Sequence, residues 1–327
     1  MTTSDKVLWD AWYIVATVRE CQPGIIKQIS LLQKNLVLWR GDTPESSIKV
    51  WEDRCPHRGT HLSLGKISQD RLICPYHGWN YDRDGKCVRV PSLPAHLSPP
   101  NACVKTYPCQ ERWGYIWVCL GNPSQEIPAF PEWDDPDYRK IYYEPYRFHS
   151  SAFRVMENGF DMSHFYFVHS GSLGDPDDAV MEDYDVEVDR DVITIDNFRC
   201  WQQNPGGTGV PGEITYLQKI YPPLTIYTLK KFHDSRRFSW FLNVQPIDEE
   251  DCLMWLCLAM NYGHETPEKE LVEFQDRLYD EDVFIVESQR PKSLPLGVSS
   301  EVHTRCDRVS TIYRRWLKEM GVTFGVC

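Results

Sequence analysis

Cys55-Pro56-His57 and Cys74-Pro75-Tyr76-His77 form a C-x-H pair that is followed, after sixteen residues, by a C-x-x-H pair. Each pair offers one thiolate and one imidazole, which predicts a metal site on two neighbouring loops. Zinc also binds Cys and His, but zinc fingers group cysteine with cysteine and histidine with histidine. The mixed pairs favour a two-iron, two-sulfide cluster in which the cysteines bind one iron and the histidines bind the other.

Length, composition and charge restrict the class of protein. The chain has 327 residues, of which 42% are hydrophobic and 25% are charged, an ordinary composition for a globular protein with two domains. A net charge of −12 argues against a nucleic-acid partner. The longest apolar run, residues 253–260, is too short to span a bilayer. Twelve scattered cysteines without a signal-peptide pattern indicate reduced thiols, so we expect a cytoplasmic protein with no membrane segment.

The pattern of apolar residues predicts an α+β chain whose domains are residues 1–130 and 131–327. Short β-branched and aromatic runs near 12–18, 31–39, 48–51, 72–73 and 115–120 predict a small antiparallel β domain with the metal loops at its hairpin tips. The proline-rich residues 121–137 read as a linker. Helices are predicted at 153–167 and 267–289, and strands between 186 and 260, which favours an antiparallel sheet gripping a long helix.

A second metal site is predicted around His164 and His169. Two histidines in an aromatic run are commonly packing residues. Beside an electron-carrying cluster, however, they fit the two-histidine, one-carboxylate set of oxygen-activating iron(II). A spacing of five does not fall on one face of a regular helix, so the helix is expected to break or bulge near Phe167.

The carboxylate is expected on the helix over 267–289. Its buried stripe by 3.6-residue periodicity comprises Leu271, Phe274, Leu278, Ile285 and Gln289. Asp282 falls inside that stripe and Glu281 at its edge. A buried acid needs a partner. For Asp282 that partner is the metal or, in the alternative interpretation, a base such as Arg290.

Together these motifs resemble the oxygenase component of Rieske non-haem iron oxygenases over nearly the whole chain. The shared features are both Cys/His loops, the N-x-x-D-x-x-H-x-x-x-x-H segment from Asn158 to His169, and an E-D-x-x-I-x-x-x-Q segment that begins at Glu281. Several stretches, most specifically the tail from Arg314 to Cys327, are similar to the cyanobacterial saxitoxin-pathway Rieske hydroxylases.

The resemblance implies an N-terminal antiparallel β Rieske domain and a C-terminal helix-grip, START-like catalytic domain. It also implies a homotrimer in which the [2Fe–2S] cluster of one subunit reduces the mononuclear Fe(II) of the next. An external donor, a ferredoxin or a flavin reductase using NAD(P)H, would supply the electrons. With O2, such an enzyme would hydroxylate a C–H bond of a small substrate, here a cationic guanidinium alkaloid of the saxitoxin type.

Two other functions stay open. One is a Rieske N- or O-demethylase of a small heterocyclic or aromatic substrate, and the other is an electron-transfer protein without the second iron. Residues 161–189 carry nine acids and no Lys or Arg, which fits a solvated loop or an acidic gate for a cation. We therefore expect a carboxylate from residues 175–183, or from the loop after Cys200, near the iron to pair with a guanidinium group.

Asp161 is the remaining candidate catalytic residue. It stands three residues before His164, so on one helix the two side chains would share a face, and Asp161 would orient the His164 ring. In a trimer, its second oxygen would accept a hydrogen bond from His77 of the partner subunit. Asp161 would then connect the two metal centres.

Overall fold

The chain divides into two compact units, Met1–Ile127 and Pro128–Cys327. The computed structural model describes residues 5–94, 97, 99–297 and 300–327. No helix in these described ranges is both long enough and apolar enough to cross a membrane.

Short antiparallel strands form the first unit. They follow helix α1 (Lys6–Trp9) and comprise β1 (Tyr13–Thr17), β2 (Ile26–Leu31), β3 (Lys34–Arg40), β4 (Ile48–Glu52), β5 (Lys66–Ser68), β6 (Arg71–Ile73), β7 (Asn80–Tyr81), β8 (Cys87–Arg89), β9 (Thr106–Tyr107), β10 (Cys109–Arg112) and β11 (Tyr115–Val118). Their sheets have the orders β1-β11-β10, β2-β3-β4-β9 and β5-β6-β7-β8. The sequence-predicted β domain is confirmed.

Tight turns set the register of these sheets. Leu32 and Gln33, between β2 and β3, both have positive φ (49° and 60°), as type I′ hairpin turns require. The strand predicted over 31–39 therefore corresponds to β3, and the turn separates it from β2, most of which precedes the predicted strand. Gln69 and Asp70 make the same kind of turn between β5 and β6.

An antiparallel sheet with helices forms the second unit. Its strands are β12 (Arg139–Tyr142), β13 (Tyr146–Phe148), β14 (Asp185–Asp189), β15 (Val192–Gln202), β16 (Gly212–Tyr221), β17 (Thr225–Phe232), β18 (Arg237–Asp248) and β19 (Asp251–Met260), and its helices are α2 (Ala152–Phe160), α3 (Glu268–Ser288) and α4 (Arg308–Glu319). The sheet order is β12-β19-β18-β17-β16-β15-β14, and β13 also pairs with β19. Helix α2 contacts β17, β18, β19, α3 and α4, as a sheet that grips helices requires.

Helix α3 agrees with the sequence prediction in its bounds but not in every buried residue. Leu271, Phe274, Leu278 and Asp282 are buried as predicted. Ile285, however, is 39% exposed, and Val286 takes its place in the buried stripe. The buried face therefore rotates by one residue near the C-terminal end of the helix.

Helix α2 differs more. The predicted helix over 153–167 ends at Phe160, and Asp161 is its C-cap with extended backbone (φ −71°, ψ 129°). A separate 3-10 turn, Ser163–Tyr166, follows. The break expected near Phe167 therefore lies before the first histidine. His164 lies on the 3-10 turn and His169 on the turn that follows it, rather than on a bulged helix.

Candidate metal centres

The two Cys/His loops of the first unit have matching backbone geometry. The Gly59 amide donates to the Cys55 carbonyl at 2.8 Å, and the Gly78 amide donates to the Cys74 carbonyl at 3.0 Å. Gly59 and Gly78 have φ of 77° and 66°, which glycine adopts without strain. Glycine therefore closes each loop into a tight turn that contains its cysteine and its histidine.

Cysteines and histidines of these loops differ in exposure. Cys55 and Cys74 are buried in the core of the unit beside Trp51 and Tyr81, whereas His77 is exposed and His57 is half-buried. The imidazole rings of His57 and His77 have centroids 4.7 Å apart. This arrangement suits a cluster whose cysteine-bound iron is buried and whose histidine-bound iron faces outward.

Tyr81 contacts the cysteine side of this site. Its hydroxyl oxygen is 3.1 Å from Cys55 Sγ. Burial and the neighbouring Cys55 thiol raise the pKa of Tyr81, so the hydroxyl keeps its proton. It can therefore donate to a thiolate, and hydrogen bonds to cluster sulfurs adjust reduction potential.

His164, His169 and Asp282 come together in the second unit. One ligand atom from each lies within 4.8 Å of the others. The Nε2 atoms of His164 and His169 are 3.6 and 3.2 Å from Asp282 Oδ1. Two imidazoles and one carboxylate converging on one side are the donor set of non-haem iron(II), with further positions left open.

Asp282 itself fits a bound cation. Its Oδ1 atom is buried and has no hydrogen-bond partner among the described residues, although two imidazole nitrogens lie nearby. An unpaired buried carboxylate oxygen is costly, and a metal ion would satisfy it. The alternative salt bridge to Arg290 does not form, since the Arg290 guanidinium donates instead to the Glu287 and Gln289 carbonyls.

Glu281 and Asp161 lie behind the two histidines. Glu281 Oε2 is 2.8 Å from His169 Nδ1, so it fixes that ring with Nε2 toward Asp282. Burial lowers the pKa of His169, but Asp282 and Glu281 outweigh it and raise the pKa. Asp161 Oδ2 is 3.6 Å from His164 Nδ1, beyond hydrogen-bond distance, and its Oδ1 accepts from the Ser163 amide and hydroxyl.

Asp161 and His164 therefore do not share a helical face, because α2 ends at Phe160 and the backbone at Asp161 is extended. Their side chains nevertheless lie close to each other, as the 3.6 Å separation shows. Nδ1 of His164 is buried and lacks a hydrogen-bond partner in the described chain. Asp161 keeps an oxygen that is not held by Ser163.

A cavity adjoins this set of residues. Asn158, Gly159, Trp240, Gln275 and Tyr279 line it with His164, His169 and Asp282, and its other lining residues are Phe148, Val155, Phe165, Leu173, Leu242, Met254 and Leu278. Asp282 is the one acid among these described lining residues. The carboxylate expected from residues 175–183 is not among them. Asp175 and Asp178 line a different pocket with Glu182, Glu213 and Trp201.

Several of these contacts escape sequence patterns. The spacing of the cysteines and histidines indicates the ligands, and burial periodicity indicates Asp282. Tyr81, Glu281 and Trp240 reach the sites only through tertiary packing. For Glu281 the signal was its place beside Asp282 at the edge of the buried stripe.

Comparisons with known proteins agree with this geometry. Residues 11–108 match the Rieske [2Fe-2S] domain, and residues 148–323 match the Vanillate O-demethylase oxygenase C-terminal domain. The chain is 35% identical to Methylxanthine N1-demethylase NdmA of Pseudomonas putida, over 94% of this chain and 88% of the relative. It is 31% identical to Methylxanthine N3-demethylase NdmB of the same organism, over 95% and 89%.

A solved structure supports the same relationship. The structure of Pseudomonas putida CBB5 NdmA with caffeine matches with a TM-score of 0.84 at 30% identity, and the match covers 96% of this chain and 91% of that one. Both halves of the chain and its donor sets thus lead to one conclusion. The chain belongs to the Rieske non-haem iron oxygenases, enzymes that act as monooxygenases with a [2Fe–2S] cluster and a mononuclear iron.

Proposed function

We propose that this enzyme is an N-demethylase of a planar, neutral heterocycle that carries carbonyl groups, with methylxanthines as the first class to test. One observation carries the proposal: the cavity wall offers buried donors and no free acid. Trp240 Nε1 and the Tyr279 hydroxyl are buried without a hydrogen-bond partner among the described residues, and both residues line the cavity. Carbonyl oxygens of a flat ring would satisfy them.

We assign the metal ligands as follows. Cys55 and Cys74 would bind one iron of the cluster, and His57 and His77 the other, within a Rieske domain over residues 1–130. His164, His169 and Asp282 would bind the mononuclear iron in a catalytic domain over residues 131–327. When bound, this iron activates O2 with electrons from the cluster. Glu281 would hold His169 in its ligating orientation.

The proposed reaction balances with two electrons from an external donor. An N-methyl C–H bond is hydroxylated, and O2, two electrons and two protons give the N-hydroxymethyl product and water. The hydroxymethyl group then leaves as formaldehyde, and the ring nitrogen gains a proton. Apolar side chains such as Phe165, Leu242 and Met254 would hold the methyl group and keep bulk water away.

Partners and location extend the proposal. A ferredoxin or a flavin reductase using NAD(P)H would supply the electrons. The glycine pattern Gly207-x-Gly209-x-x-Gly212 resembles a dinucleotide-binding motif, but it lies between β15 and the first residue of β16 and does not begin a helix. We propose a cytoplasmic homotrimer. His77 of the Rieske domain is exposed, so the cluster that it would bind could pass an electron to the mononuclear iron of a neighbouring subunit.

Hydroxylation of a saxitoxin-type guanidinium alkaloid is the second candidate function. It is favoured by the acid-lined pocket of Asp175, Asp178, Glu182 and Glu213 beside the exposed Trp201. Carboxylates and an aromatic face together attract guanidinium groups. That pocket and the cavity at His164 share no lining residue, which favours the demethylase.

The test is product analysis with caffeine labelled with 13C in its methyl groups. The reconstituted enzyme, with a reductase and O2, should release labelled formaldehyde. A saxitoxin-type precursor should give no oxygenated product in parallel. Oxygen gain on the alkaloid without formaldehyde from any methylxanthine would reverse the assignment.

Variants of the cavity wall extend this test. Trp240→Phe and Tyr279→Phe should each raise KM about five- to tenfold through loss of one hydrogen bond. Tyr143→Phe is the control, because Tyr143 is buried and donates to the Leu271 carbonyl at 3.5 Å but does not line the cavity. Equal effects of all three substitutions would show that the wall donors do not bind substrate.

A further inference from the structure

Lys230 is a buried cation on β17, in the sheet that contributes Trp240 to the wall of the cavity at His164, His169 and Asp282 (the iron cavity). Its side chain is 3% exposed. Its Nζ atom lies 5.4, 5.2 and 5.8 Å from the ring centroids of Tyr216, Phe238 and Trp240. Three aromatic faces therefore surround an ammonium group that has almost no contact with water.

The hydrogen bonds of Lys230 are to neutral groups. Nζ donates to the Pro205 carbonyl at 2.8 Å and lies 3.5 Å from Gln202 Oε1. It forms no ion pair with a carboxylate in the part of the chain that the structure describes. Buried charges usually have a counter-ion, because isolated ones are costly. An ammonium group that lacks one leaves its positive charge uncompensated in the protein interior.

Trp240 connects this charge to the cavity. Its indole ring faces the ammonium group and also lines the cavity. Trp240 pairs in register with Thr228, and Phe238 pairs with Lys230, so Lys230 and Trp240 lie on the same face of the sheet. Screening by water is weak in the protein interior. The charge of Lys230, 5.8 Å from the Trp240 ring centroid, would therefore act on a ligand that contacts Trp240 in the cavity.

We propose that Lys230 is a specificity-determining residue, whose uncompensated positive charge disfavours cationic ligands in the iron cavity and admits neutral or electron-rich rings. This inference rests on the proposed function, which it deepens: it excludes guanidinium and ammonium substrates from the same cavity. Asp282 would not offset the effect in the holoenzyme, because a bound metal cation would neutralise its carboxylate.

The experiment measures binding rather than turnover. The dissociation constants of caffeine and of its permanently cationic N9-methyl derivative, 1,3,7,9-tetramethylxanthinium, are determined by calorimetry on the anaerobic holoenzyme. Lys230→Met replaces the ammonium group with an apolar side chain of similar length. The ratio of the cation's dissociation constant to that of caffeine should fall about tenfold in this variant. The added methyl group has the same bulk in the unmodified enzyme and in Lys230→Met, so its steric effect does not change the comparison of the two ratios.

Lys231→Met is the matched control. Lys231 is the next residue of β17, its side chain lies on the opposite face, and Nζ is 3.7 Å from Asp196. Its replacement should leave the ratio unchanged. An unchanged ratio in Lys230→Met, or an equal fall in both variants, would overturn the inference and leave the demethylase intact. Absence of caffeine binding in the unmodified enzyme would overturn both.

A pH series on the unmodified enzyme tests the inference without substitution. Burial lowers the pKa of Lys230 to about 8, so its charge is present below that pH and is lost above it. The titratable groups that face it are Cys200 of β15, whose pKa burial raises to about 12, and Tyr216 of β16, whose pKa burial raises further. The ratio should therefore fall between about pH 7 and 9, the two-unit span of a single titration centred near 8. A ratio constant over this range would contradict the role of Lys230.

Discussion

Tyr81 contacts the cysteine side of the cluster site through its hydroxyl group, 3.1 Å from Cys55 Sγ. A donor to sulfur stabilises the reduced cluster more than the oxidised one, because the reduced cluster carries more negative charge. Tyr81→Phe should therefore lower the reduction potential by about 40 mV, the equivalent of one hydrogen bond. Tyr107→Phe is the control, because Tyr107 is also a buried tyrosine but packs against Lys105. A redox titration that gives equal potentials for all three proteins would contradict this role.

Glu281 gives a second test at the scale of one residue. Because it holds His169 Nδ1, Glu281→Ala should weaken binding of the mononuclear iron about 10- to 100-fold. The absorption of the cluster should not change. Asp280→Ala, at an exposed position one residue earlier on α3, should keep its iron. The measurement is iron content after dialysis against graded concentrations of a chelator, and parallel losses in both variants would rule out a specific role.

The sequence predicts the metal ligands better than it predicts the residues that hydrogen-bond to those ligands. Cys55, His57, Cys74 and His77 are recognisable because loop geometry fixes their spacing. Tyr81 and Glu281 act across tertiary contacts of 26 and 112 residues in the chain. No local pattern encodes such contacts, so only the folded structure reveals them.

At the scale of elements, α3 and α2 show the same contrast. The 3.6-residue repeat of apolar residues predicts a helix over 267–289. The observed helix agrees, with Pro267 as its N-cap and Gln289 as its C-cap. The end of α2 is not marked by a helix breaker, because residues 161–167 contain neither glycine nor proline. The Asp161–Ser163 hydrogen bonds favour a local turn instead. Helix α4 was not predicted at all, although it contacts α2.

Arg314 of α4 holds α2 in place. Its guanidinium group binds Glu157 of α2 with two hydrogen bonds of 2.6 Å and Glu301 at 2.7 Å, and it is 5% exposed. Arg314→Met removes both close hydrogen bonds of the half-buried Glu157, whereas Glu301 keeps its pair with Arg154. The substitution should cost about 3 kcal/mol of unfolding free energy. Arg315→Met, at the exposed neighbouring position, should change it by under about 0.5 kcal/mol. Urea denaturation followed by tryptophan fluorescence measures the unfolding free energy of both variants. Similar midpoints would show that Arg314 does not hold α2 in place.

The same cluster predicts a pH dependence. Burial raises the pKa of Glu301, but Arg154 and Arg314 outweigh it, so the folded-state pKa is lowered. A lowered carboxyl pKa contributes stability above the unfolded-state value, about 4.3, that is lost as pH falls through the folded-state value. The urea midpoint should drop more steeply below pH 4.5 in the unmodified protein than in Glu301→Gln. Parallel curves would show that Glu301 contributes nothing in this range.

For the whole molecule, the sequence predicts chemistry better than substrate. The donor sets and the order of the two units indicate a Rieske oxygenase. The acids of residues 161–189 suggested a cationic substrate, yet Asp175 and Asp178 line a separate pocket. Net charge along the chain does not say which acids face the iron site, because that depends on how α2, β18, β19 and α3 close the cavity.

Asp161 tests how the metal centres cooperate in the assembled enzyme. Its Oδ1 is held by Ser163, and its Oδ2 is 3.6 Å from His164 Nδ1, too far to orient that ring by a hydrogen bond. We therefore expect Asp161→Ala to keep its full iron content and to accept an electron at the cluster. If Oδ2 closes on His164 in the assembled enzyme and so bridges it to His77 of the partner subunit, single-turnover product should nevertheless be lost.

Ser163→Ala is the matched control for that experiment. It removes the hydroxyl that donates to Asp161 Oδ1 at 2.6 Å and keeps the carboxylate, so single turnover should persist. Product yield in one turnover, iron content and cluster reduction are measured on the same samples. Loss of iron in proportion to loss of product would assign Asp161 a positioning role at His164. Normal product from a fully iron-loaded Asp161→Ala enzyme would show that electrons reach the mononuclear iron without this carboxylate.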